Sequence, residues 1–499
     1  MPERLSSAEL IRRVLDPGTF ESWDAPVVRE GSETPDDAYA AQLARAAQKA
    51  GTDESVVTGR ALLDGLPVAV VVGEFDFLAG SVGRATARRI RAAVERATAE
   101  GLPVLAAPVS GGTRMQEGVP AFVQMAPVAA AIAAHRAAGL AYLVWLRHPT
   151  TGGVMASWGS LGQMTAVEPD ALVGFLGPRV FEALHGEPFP EGVQTGENLA
   201  AHGVVDAVLP VARLRERAAA VVRLLTDRVV HVGAAGDARA EQSSPPAPPT
   251  PPADASGTWS VVRRSRAEDH PGVRDLLAVG AEGTVVLSGT GEGERDPGVL
   301  LALTRLGGHS CVLVGHDRAS VAAHGPFGPA GLRTARRGMR LAAELGLPLV
   351  TVVDTGGAEL SVAAEQGAMA GEIARCLAEL TSLPVPTVSV LLGQGNGGGA
   401  LALLPADHVI ASGTGWLSPL PPEGASAIVH RDTSHAAEMA HAHGVTAAAM
   451  ATHGLVDQVL EGEGRELVVR LAGGVAAALS DLGGTDDAAR RAARLHRYA

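Results

Sequence analysis

The chain has 499 residues, 46% of them hydrophobic, and a formal net charge of −13. Because it is acidic overall, we expect no general nucleic-acid binding. Its one lysine, Lys49, lies in an Ala-Gln-Lys-Ala context, and the chain contains no Gly-Lys-Ser/Thr run. A P-loop nucleotide site, a Schiff-base mechanism and a prosthetic group attached to lysine are therefore excluded.

The cysteines and the apolar segments indicate the cellular compartment of the protein. Cys311 and Cys376 belong to no Cys-x-x-Cys pair, so we expect no structural zinc and no other metal. Two reduced thiols indicate a cytoplasmic protein. The first ten residues carry charges and no apolar core, which argues against a secretory signal. No run of 18 uncharged apolar residues predicts a membrane span.

In chain order, apolar β-branched runs alternate with Ala-rich helical stretches, which is typical of α/β layers. The predicted strands are Leu66–Val72, Val104–Pro108, Tyr142–Leu146, Ser310–Val314, Leu349–Val353 and Val385–Leu392. The predicted helices are Gly83–Glu100, Ala121–Ala138 and Thr334–Leu345.

A proline-rich segment divides the chain near its middle. Residues Ser243–Ala255 read SSPPAPPTPPADA, with six prolines. Such a stretch forms neither helix nor central strand, and it predicts a semi-rigid exposed linker. We therefore expect a first domain over residues 1–232, a linker over 233–257 and a second domain over 258–499.

The two halves repeat each other. In the first half a strand leads into Ser110-Gly111-Gly112, and a helix and a strand then lead to Gly152-Gly153. The second half repeats this order from Thr355-Gly356-Gly357 to Gly398-Gly399. The distance from Gly111 to Gly152 is 41 residues, and from Gly356 to Gly398 it is 42. A closing His-Gly-Val-Val-Asp at 202–206 is echoed by His-Gly-Leu-Val-Asp at 453–457, which indicates a duplicated domain.

Paired glycines between a strand and a helix can present backbone N–H groups to an anion or to an oxyanion formed during a reaction. A single pair would be explained by a tight turn, but four pairs at matched spacing favour ligand binding. The sequence contains no Gly-x-Ser-x-Gly and no His-Glu-x-x-His motif. Glu117 is open to two interpretations, an acid–base residue or a structural partner of a helix start. We therefore infer that backbone amides carry the chemistry.

Longer motifs resemble the two carboxyltransferase subunits of bacterial acetyl-CoA carboxylase. The first half resembles the β subunit, whose SGGARMQE, GSMG and DPTxGGV motifs correspond to Ser110–Glu117, Gly80–Gly83 and His148–Val154. The second half resembles the α subunit, whose DTPGA, GEGGSGGALA and PEGCASI motifs correspond to Asp354–Ala358, Gly393–Ala402 and Pro422–Ile428.

The resemblance implies an α/β chain of two tandem crotonase-like (ClpP/crotonase) domains related by duplication. It implies transfer of CO2 from carboxybiotin, held on a separate biotin carboxyl carrier protein that a biotin carboxylase charges, to the α-carbon of an acyl-CoA. Acetyl-CoA, giving malonyl-CoA for fatty acid biosynthesis, is the acceptor that the motifs favour. The β-type half would serve the acyl-CoA and the α-type half the biotin.

By position in these motifs, the amides of Gly111 and Gly112 would hold the thioester enolate oxygen, and those of Gly399 and Ala400 the ureido oxygen of biotin. The other residues implied to contact substrate are Gly80, Ser81, Gly83, Gly152, Gly153, Gly356, Gly357 and Gly398. The family also implies a homo-oligomer, a dimer rather than a hexamer, in which the two kinds of domain meet. Closure within one chain stays possible through the linker.

The chain departs from the family pattern in two respects. It has no four-cysteine zinc finger of the kind that begins the bacterial β subunit, and Gly356 stands where the α subunit has proline. Two alternatives therefore stay open. One is a decarboxylase of a malonyl or glutaconyl thioester, and the other is a non-catalytic paralogue that binds acyl-CoA or the carrier.

Overall fold

The computed structural model describes residues 4–29, 35–174, 187–226 and 249–497. The chain divides into two compact units, Met1–Thr226 with Gly291–Gly293, and Asp227–Thr290 with Glu294–Ala499. Of the segment expected to be a linker, residues 233–248 lie outside the described residues. Asp254 caps a helix that begins at Ala255, where its side chain accepts from the Gly257 amide at 2.8 Å. The last residues assigned to the linker are therefore helical.

The first unit contains a seven-stranded sheet in the order β1-β2-β3-β4-β5-β7-β9 and a small parallel pair, β6 and β8. Pairing is antiparallel from β1 to β3 and parallel from β3 onwards. The strands are β1 Glu21–Ser22, β2 Val56–Leu63, β3 Leu66–Gly73, β4 Val104–Ala107, β5 Tyr142–Leu146, β6 Thr150–Thr151, β7 Met164–Val167, β8 Val173–Gly174 and β9 Ala207–Val208.

The described helices of the first unit cover the sheet and carry the turns of the site. They are α1 Ser7–Val14, α2 Asp37–Ala50, α3 Arg84–Ala99, α4 Gly118–Phe122, α5 Met125–Ala137, α6 Gly196–Ala201 and α7 Val211–Thr226. Three short 3₁₀ turns accompany them, at Leu78–Gly80, Met115–Glu117 and Gly152–Val154.

The second unit contains an eight-stranded sheet in the order β10-β11-β12-β13-β14-β15-β17, with β16 paired to β14. Pairing is antiparallel from β10 to β12 and parallel thereafter. The strands are β10 Ala281–Leu287, β11 Val299–Leu306, β12 His309–His316, β13 Leu349–Thr355, β14 Thr387–Asn396, β15 His408–Ser412, β16 Trp416–Ser418 and β17 Gln458–Leu460.

The described helices of the second unit follow the same plan, with additions after β16 and at the C-terminus. They are α8 Ala255–Ser265, α9 Val273–Gly280, α10 Arg318–His324, α11 Pro329–Leu345, α12 Val362–Gln366, α13 Met369–Ser382, α14 Gly397–Leu401, α15 Pro422–His430, α16 Ala436–Ala442, α17 Ala447–Thr452, α18 Gly464–Leu482 and α19 Asp487–His496. None of the described helices is long and apolar enough to cross a bilayer.

The two sheets share one topology, an antiparallel hairpin followed by parallel strands joined through helices, which confirms the predicted duplicated α/β fold. The predicted strands and helices are present with shifts at their ends. The largest shift is at the start of α11, which was predicted at Thr334 and lies at Pro329, and the helix predicted over Ala121–Ala138 is divided into α4 and α5. Strand β14 was predicted to begin at Val385 and begins at Thr387. Pro386 has no N–H to donate to a ladder, so the strand starts after it and runs on to Asn396.

Small side chains let helices lie close to the sheets. In α3 the buried residues include Ala87, Ala93 and Ala97. In α11, a Cβ placed on Gly338 would lie 2.4 Å from Val314 Cγ2 on β12. Because no side chain fits there, the abundance of Ala and Gly follows from this close packing.

The C-terminal helix α19 is fastened by a buried ion pair. Arg494, with no exposed surface, donates from Nη2 to Asp407 Oδ2 at 2.7 Å and from Nη1 to the Leu380 carbonyl at 2.6 Å. Asp407 also accepts from the Thr387 amide at 2.8 Å, at the start of β14. The helix is thus tied to the strand that leads to the second site.

We expect Arg494→Ala to lower the free energy of unfolding by about 3 kcal/mol, because it leaves the Asp407 carboxylate buried with fewer partners. Urea unfolding followed by circular dichroism measures the loss. Arg491→Ala, at an exposed position of the same helix, is the matched control and should change stability by less than about 0.5 kcal/mol. Equal effects of the two variants would contradict the anchoring role of Arg494.

Candidate active site

In the first unit, the end of β4 leads into a loop that is bonded to the segment before the second glycine pair. Ser110 Oγ accepts from the Gly112 amide at 2.9 Å. The Ser110 amide donates to the Pro149 carbonyl at 2.7 Å, and the Thr151 amide donates to the Ser110 carbonyl at 3.0 Å. The two glycine pairs of this unit are therefore held together.

The turns at Gly112 and Gly152 lie against each other. Their φ angles are +113° and +67°, values that favour glycine. A Cβ on Gly152 would lie 3.2 Å from the Gly112 Cα, which leaves little room for a side chain. Gly153 is the second residue of the 3₁₀ turn Gly152–Val154, so its N–H has no acceptor within the turn.

The amides that the sequence put forward as oxyanion donors are already bonded. The Gly111 amide donates to the Ala79 carbonyl at 2.9 Å, and the Gly112 amide donates to Ser110 Oγ. Their assigned role stays a prediction, and it requires these bonds to open. Gly153, named from the sequence only as a substrate contact, is the neighbouring donor that the structure adds.

The segment Gly80–Gly83 supports the loop from the other side. Gly80 has φ +66°, and a Cβ there would lie 2.2 Å from the Val109 carbonyl oxygen. Ser81 Oγ donates to the Leu78 carbonyl at 2.8 Å. A Cβ on Gly83 would lie 2.4 Å from Glu117 Oε1. These three residues shape the loop, and their predicted contact with substrate stays a prediction.

A buried ion pair lies under this loop. Arg114 and Glu54 both have fully buried side chains, and Arg114 Nη1 lies 2.7 Å from Glu54 Oε1. Arg114 Nη2 also donates to the Ser81 carbonyl at 2.7 Å. The guanidinium therefore joins the motif that follows the glycine pair to the Gly80–Gly83 segment. Sequence reasoning missed Glu54, which belongs to no motif.

Glu117 proves to be a structural residue. Its Oε2 accepts from the Arg84 amide at 2.6 Å, at the first residue of α3, and its Oε1 accepts from Tyr39 Oη at 2.6 Å. Burial and this hydrogen bond raise the pKa of Tyr39 to about 12. Of the two interpretations left open by the sequence, the partner of a helix start is the one that these contacts support.

The second unit repeats the geometry of the first. Thr355 Oγ1 accepts from the Gly357 amide at 3.0 Å, as Ser110 does from Gly112. Gly357 and Gly397 have φ angles of +127° and +72°. They are 40 positions apart, as are Gly112 and Gly152. The structural counterpart of Gly152 is therefore Gly397, one residue earlier than the pairing drawn from the sequence.

The turn after β14 carries the other predicted donors. The first turn of α14 begins at Gly397, and the N–H groups of its second and third residues, Gly398 and Gly399, lack an acceptor in the helix. Ala400 is the fourth residue, so its N–H has the carbonyl of the N-cap Asn396 as its acceptor, and its assigned role stays a prediction that requires this bond to open. Gly398 is exposed, whereas Gly399 and Ala400 are buried. Gly356 is exposed on the facing loop. The predicted residues of this half are thus brought together.

Asn396 connects the two glycine loops of the second unit. Its Nδ2 donates to the Gly356 carbonyl at 2.7 Å. Its Oδ1 is buried and has no hydrogen-bond partner within the described ranges. A buried acceptor of this kind is costly unless a ligand or solvent satisfies it. Sequence reasoning missed this role, because the related motif has glycine at this position.

Asp354, at the end of β13, is 2% exposed. Its Oδ1 accepts from the Gln394 amide at 3.1 Å, and its Oδ2 accepts from Arg318 at 3.2 Å. Burial raises the pKa of this carboxyl to about 6, against the opposing effect of Arg318. Arg318 also donates to His270 Nδ1 at 2.9 Å. This cluster fixes the start of the segment that leads to α14.

The environment of Lys49 and the grouping of the His, Cys, Asp and Glu side chains bear on covalent attachment and metal binding. Lys49 lies on α2 with 66% of its side chain exposed and pairs with Asp76 at 2.7 Å. Across the ranges that the structure describes, no group of three or more His, Cys, Asp or Glu side chains could hold a metal ion. The site therefore consists of backbone donors and the polar clusters beneath them.

Comparison with known proteins gives one consistent result. Residues 20–468 match the Carboxyl transferase domain family. The probable biotin-dependent acyl-coenzyme A carboxylase beta3 subunit of Mycobacterium tuberculosis is 53% identical over 501 residues, which cover 99% of this chain and 98% of the relative. The acetyl-coenzyme A carboxylase carboxyl transferase subunits beta/alpha of Salinispora arenicola are 38% identical over 467 residues, with coverages of 92% and 82%.

Two solved structures share the fold. The transcarboxylase 12S hexamer assembly superposes with a TM-score of 0.76 at 21% identity and covers 97% of this chain and 90% of its own. A single-chain, multi-domain long-chain acyl-CoA carboxylase gives a TM-score of 0.71 at 19% identity, covering 94% of this chain and 45% of its own.

A duplicated α/β chain with a glycine turn of this kind in each unit is, as a class, a crotonase-fold protein. The chain belongs to the carboxyl transferase family of biotin-dependent acyl-CoA carboxylases. Its first unit is of the β type and its second of the α type, fused in one polypeptide.

The raised pKa of Asp354 predicts a pH dependence of stability. The native state keeps its proton up to about pH 6, whereas the unfolded state releases it near 3.8, so the native state binds more protons between these values. The contribution of Asp354 to the free energy of unfolding must then fall as the pH rises from about 4 to about 6. A shift of this size corresponds to a fall of about 1–3 kcal/mol.

Asp354→Asn removes the titration. We expect the stability of the wild type relative to Asp354→Asn to fall across this window and to be flat above pH 7, as measured by urea unfolding at several pH values. Asp481→Asn, at an exposed position on α18, should show no such trend. A wild-type stability that rises relative to Asp354→Asn between pH 4 and 6 would contradict the raised pKa.

Proposed function

We propose that this chain transfers a carboxyl group from carboxybiotin on a carrier protein to the α-carbon of acetyl-CoA or another short acyl-CoA. The observation that carries the proposal is the pair of matching glycine turns, one in each unit, whose first-turn amides lack partners in their own turns. A reaction in which a thioester oxygen and a ureido oxygen both gain negative charge requires two such sites.

In the first unit, the Gly153 amide is the donor for the thioester oxygen, beside the turn at Gly112. Donors that are already oriented stabilise the enolate without rearranging when its charge develops. The Gly112 amide would join if the thioester oxygen replaced Ser110 Oγ as its acceptor. Arg114 and Glu54 keep this loop in place from below.

In the second unit, the donor set fits the ureido group of biotin. A ureido group offers one acceptor oxygen and N–H donors. The first-turn amides of Gly398 and Gly399 supply hydrogen bonds to an oxygen, and the Ala400 amide would join them if the ureido oxygen replaced the Asn396 carbonyl as its acceptor. The buried Asn396 Oδ1 is an acceptor that lacks a donor. The helix N-terminus adds a partial positive charge that favours an oxyanion.

When bound, carboxybiotin supplies the CO2, and its N1, freed of the carboxyl group, takes the proton that the α-carbon loses as the new C–C bond forms. The chain itself has to bind and orient the two partners and stabilise their oxygens. A side-chain base is not required, which agrees with the engagement of Glu117 by the Arg84 amide and by Tyr39.

The partners follow from this chemistry. A chain whose single lysine is a surface residue needs a biotin carboxyl carrier protein and a biotin carboxylase. The acceptor that we favour is acetyl-CoA, which would give malonyl-CoA for fatty acid biosynthesis in the cytoplasm. We further propose a homo-oligomer, a dimer in the first instance. The transcarboxylase 12S relative is described as a hexamer, and light scattering decides between the two.

The proposal is tested by reconstitution. The purified chain should carry no biotin on a streptavidin blot and should fix no bicarbonate alone. With biotin carboxylase, biotinylated carrier, ATP and labelled bicarbonate, it should carboxylate acetyl-CoA. Loss of CO2 from malonyl-CoA without transfer to biotin would instead indicate a decarboxylase. Acyl-CoA binding without turnover would indicate a non-catalytic paralogue.

The biotin side is tested by Ala400→Pro, which deletes the N–H that the sequence assigned to the ureido oxygen, with circular dichroism to check that the variant stays folded. We expect carboxyl transfer to fall about 100- to 1000-fold, the usual effect of losing one oxyanion donor. The affinity for acyl-CoA, measured by calorimetry, should stay within about twofold, because the first unit is untouched.

Ala400→Gly is the matched control, since it removes the same methyl group and keeps the N–H. It should retain transfer within about tenfold of the wild type. If acyl-CoA affinity collapses in Ala400→Pro while the protein stays folded, the two units have been assigned to the wrong substrates.

A further inference from the structure

A small cavity lies directly behind the glycine turns of the first unit. Gly112 and Gly153 line it on the side of the proposed thioester site. The rest of its surface is largely apolar and comes from α3, α5 and the residues after the Gly152 turn, chiefly Ile90, Met125, Val128, Val154 and Trp158.

Most of this wall is rigid. Ile90, Val128, Val154 and Trp158 are each 3% exposed or less and belong to the hydrophobic core of the unit. Such close-packed side chains move little to make room for a ligand. A ligand that needed more room could not obtain it from them.

Met125 is different. It begins α5 and is only partly buried. Its Sδ lies 2.6 Å from the point that a Cβ on Gly153 would occupy, so the thioether packs against the Cα of the proposed donor residue. Methionine is unbranched and adapts to irregular space. Among the residues named here, Met125 is therefore the side chain whose replacement would enlarge the cavity at lowest cost.

The free space is small. About 10 Å³ is open to the centre of a water-sized sphere, which is close to the least that one water molecule needs. A methyl group is of similar size, so the cavity accepts about one such group. One or more further methylenes would overlap with the wall.

The position of the cavity relative to the Gly153 amide indicates which part of the acyl group would lie near it. If the Gly153 amide holds the thioester oxygen at about 2.9 Å, the carbonyl carbon lies within about 4 Å of that nitrogen. The α-carbon must stay open towards the incoming carboxyl group. The substituent on the α-carbon then has to find room beside Gly153, where the cavity lies.

We propose that this cavity binds the substituent on the α-carbon of the acyl-CoA and that Met125 limits its length. Acetyl-CoA, which has no such substituent, and propionyl-CoA, whose substituent is one methyl group, both fit. Butyryl-CoA and longer thioesters do not. The inference rests on the proposed function, and it narrows the acceptor to two- and three-carbon thioesters.

The test is a panel of acetyl-, propionyl-, butyryl- and hexanoyl-CoA, assayed with the full-length chain, biotin carboxylase and biotinylated carrier. In the wild type, kcat/KM should fall about 10-fold or more between propionyl- and butyryl-CoA. In Met125→Ala, the ratio of butyryl- to propionyl-CoA should rise about 10-fold, because one wall is removed. Calorimetric affinities for the same thioesters should change in the same order.

Two matched variants separate cavity size from other effects. Met125→Leu nearly conserves volume, so its ratio of butyryl- to propionyl-CoA should rise much less than that of Met125→Ala. Val123→Ala, two residues earlier at an exposed position, should keep the wild-type profile. A profile unchanged in Met125→Ala, or a wild type that prefers hexanoyl-CoA, would overturn the inference and leave the carboxyltransferase assignment intact. No transfer to any thioester would refute the proposed function, and the calorimetric series alone would then decide the role of Met125.

Discussion

Both sites depend on one local interaction, the hydrogen bond from a glycine amide to the hydroxyl of the residue two positions earlier. Gly112 donates to Ser110 Oγ at 2.9 Å, and Gly357 donates to Thr355 Oγ1 at 3.0 Å. The bond closes a turn at the end of a parallel strand and requires a positive φ, which favours glycine. Because parallel strands end at one edge of a sheet, this turn meets the next strand's glycine turn, and a row of backbone donors results.

Buried charges hold these turns from beneath. In the first unit Arg114 pairs with Glu54 and also reaches the Ser81 carbonyl, while in the second unit Asp354 bridges Arg318 and the Gln394 amide. A buried pair of this kind contributes little net stability. Its value here is geometric, because a loop of glycines has few side chains with which to fix its own conformation.

The sequence predicted the class of fold and the position of the glycine turns well, because each rests on a strong local signal: apolar strands, glycine pairs and a repeat. It could not predict which glycine N–H groups lack a hydrogen-bond acceptor in their own loop. Gly111 and Gly112 belong to the motif, but their N–H groups already donate hydrogen bonds within the loop. It is the structure that places the N–H of Gly153 beside them. Because residues 397–399 are three consecutive glycines, the sequence alone did not show which of them corresponds to Gly152. Long-range partners such as Glu54 and Asn396 leave no trace in local sequence.

The duplication explains why the two units can serve different substrates. Gly357 lies 245 positions after Gly112, and Ile373 lies 245 positions after Val128. In the second unit, Ile373 Cδ1 lies 3.0 Å from the point that a Cβ on Gly398 would occupy. At the equivalent place in the first unit the shorter Val128 lines a cavity. The first unit thus packs the unbranched Met125 against its donor, with Sδ 2.6 Å from the Cβ point of Gly153 and a cavity beside it, whereas the second packs the branched Ile373 at the equivalent place. A thioester with a variable acyl group suits the first arrangement, and a ureido ring of fixed size suits the second.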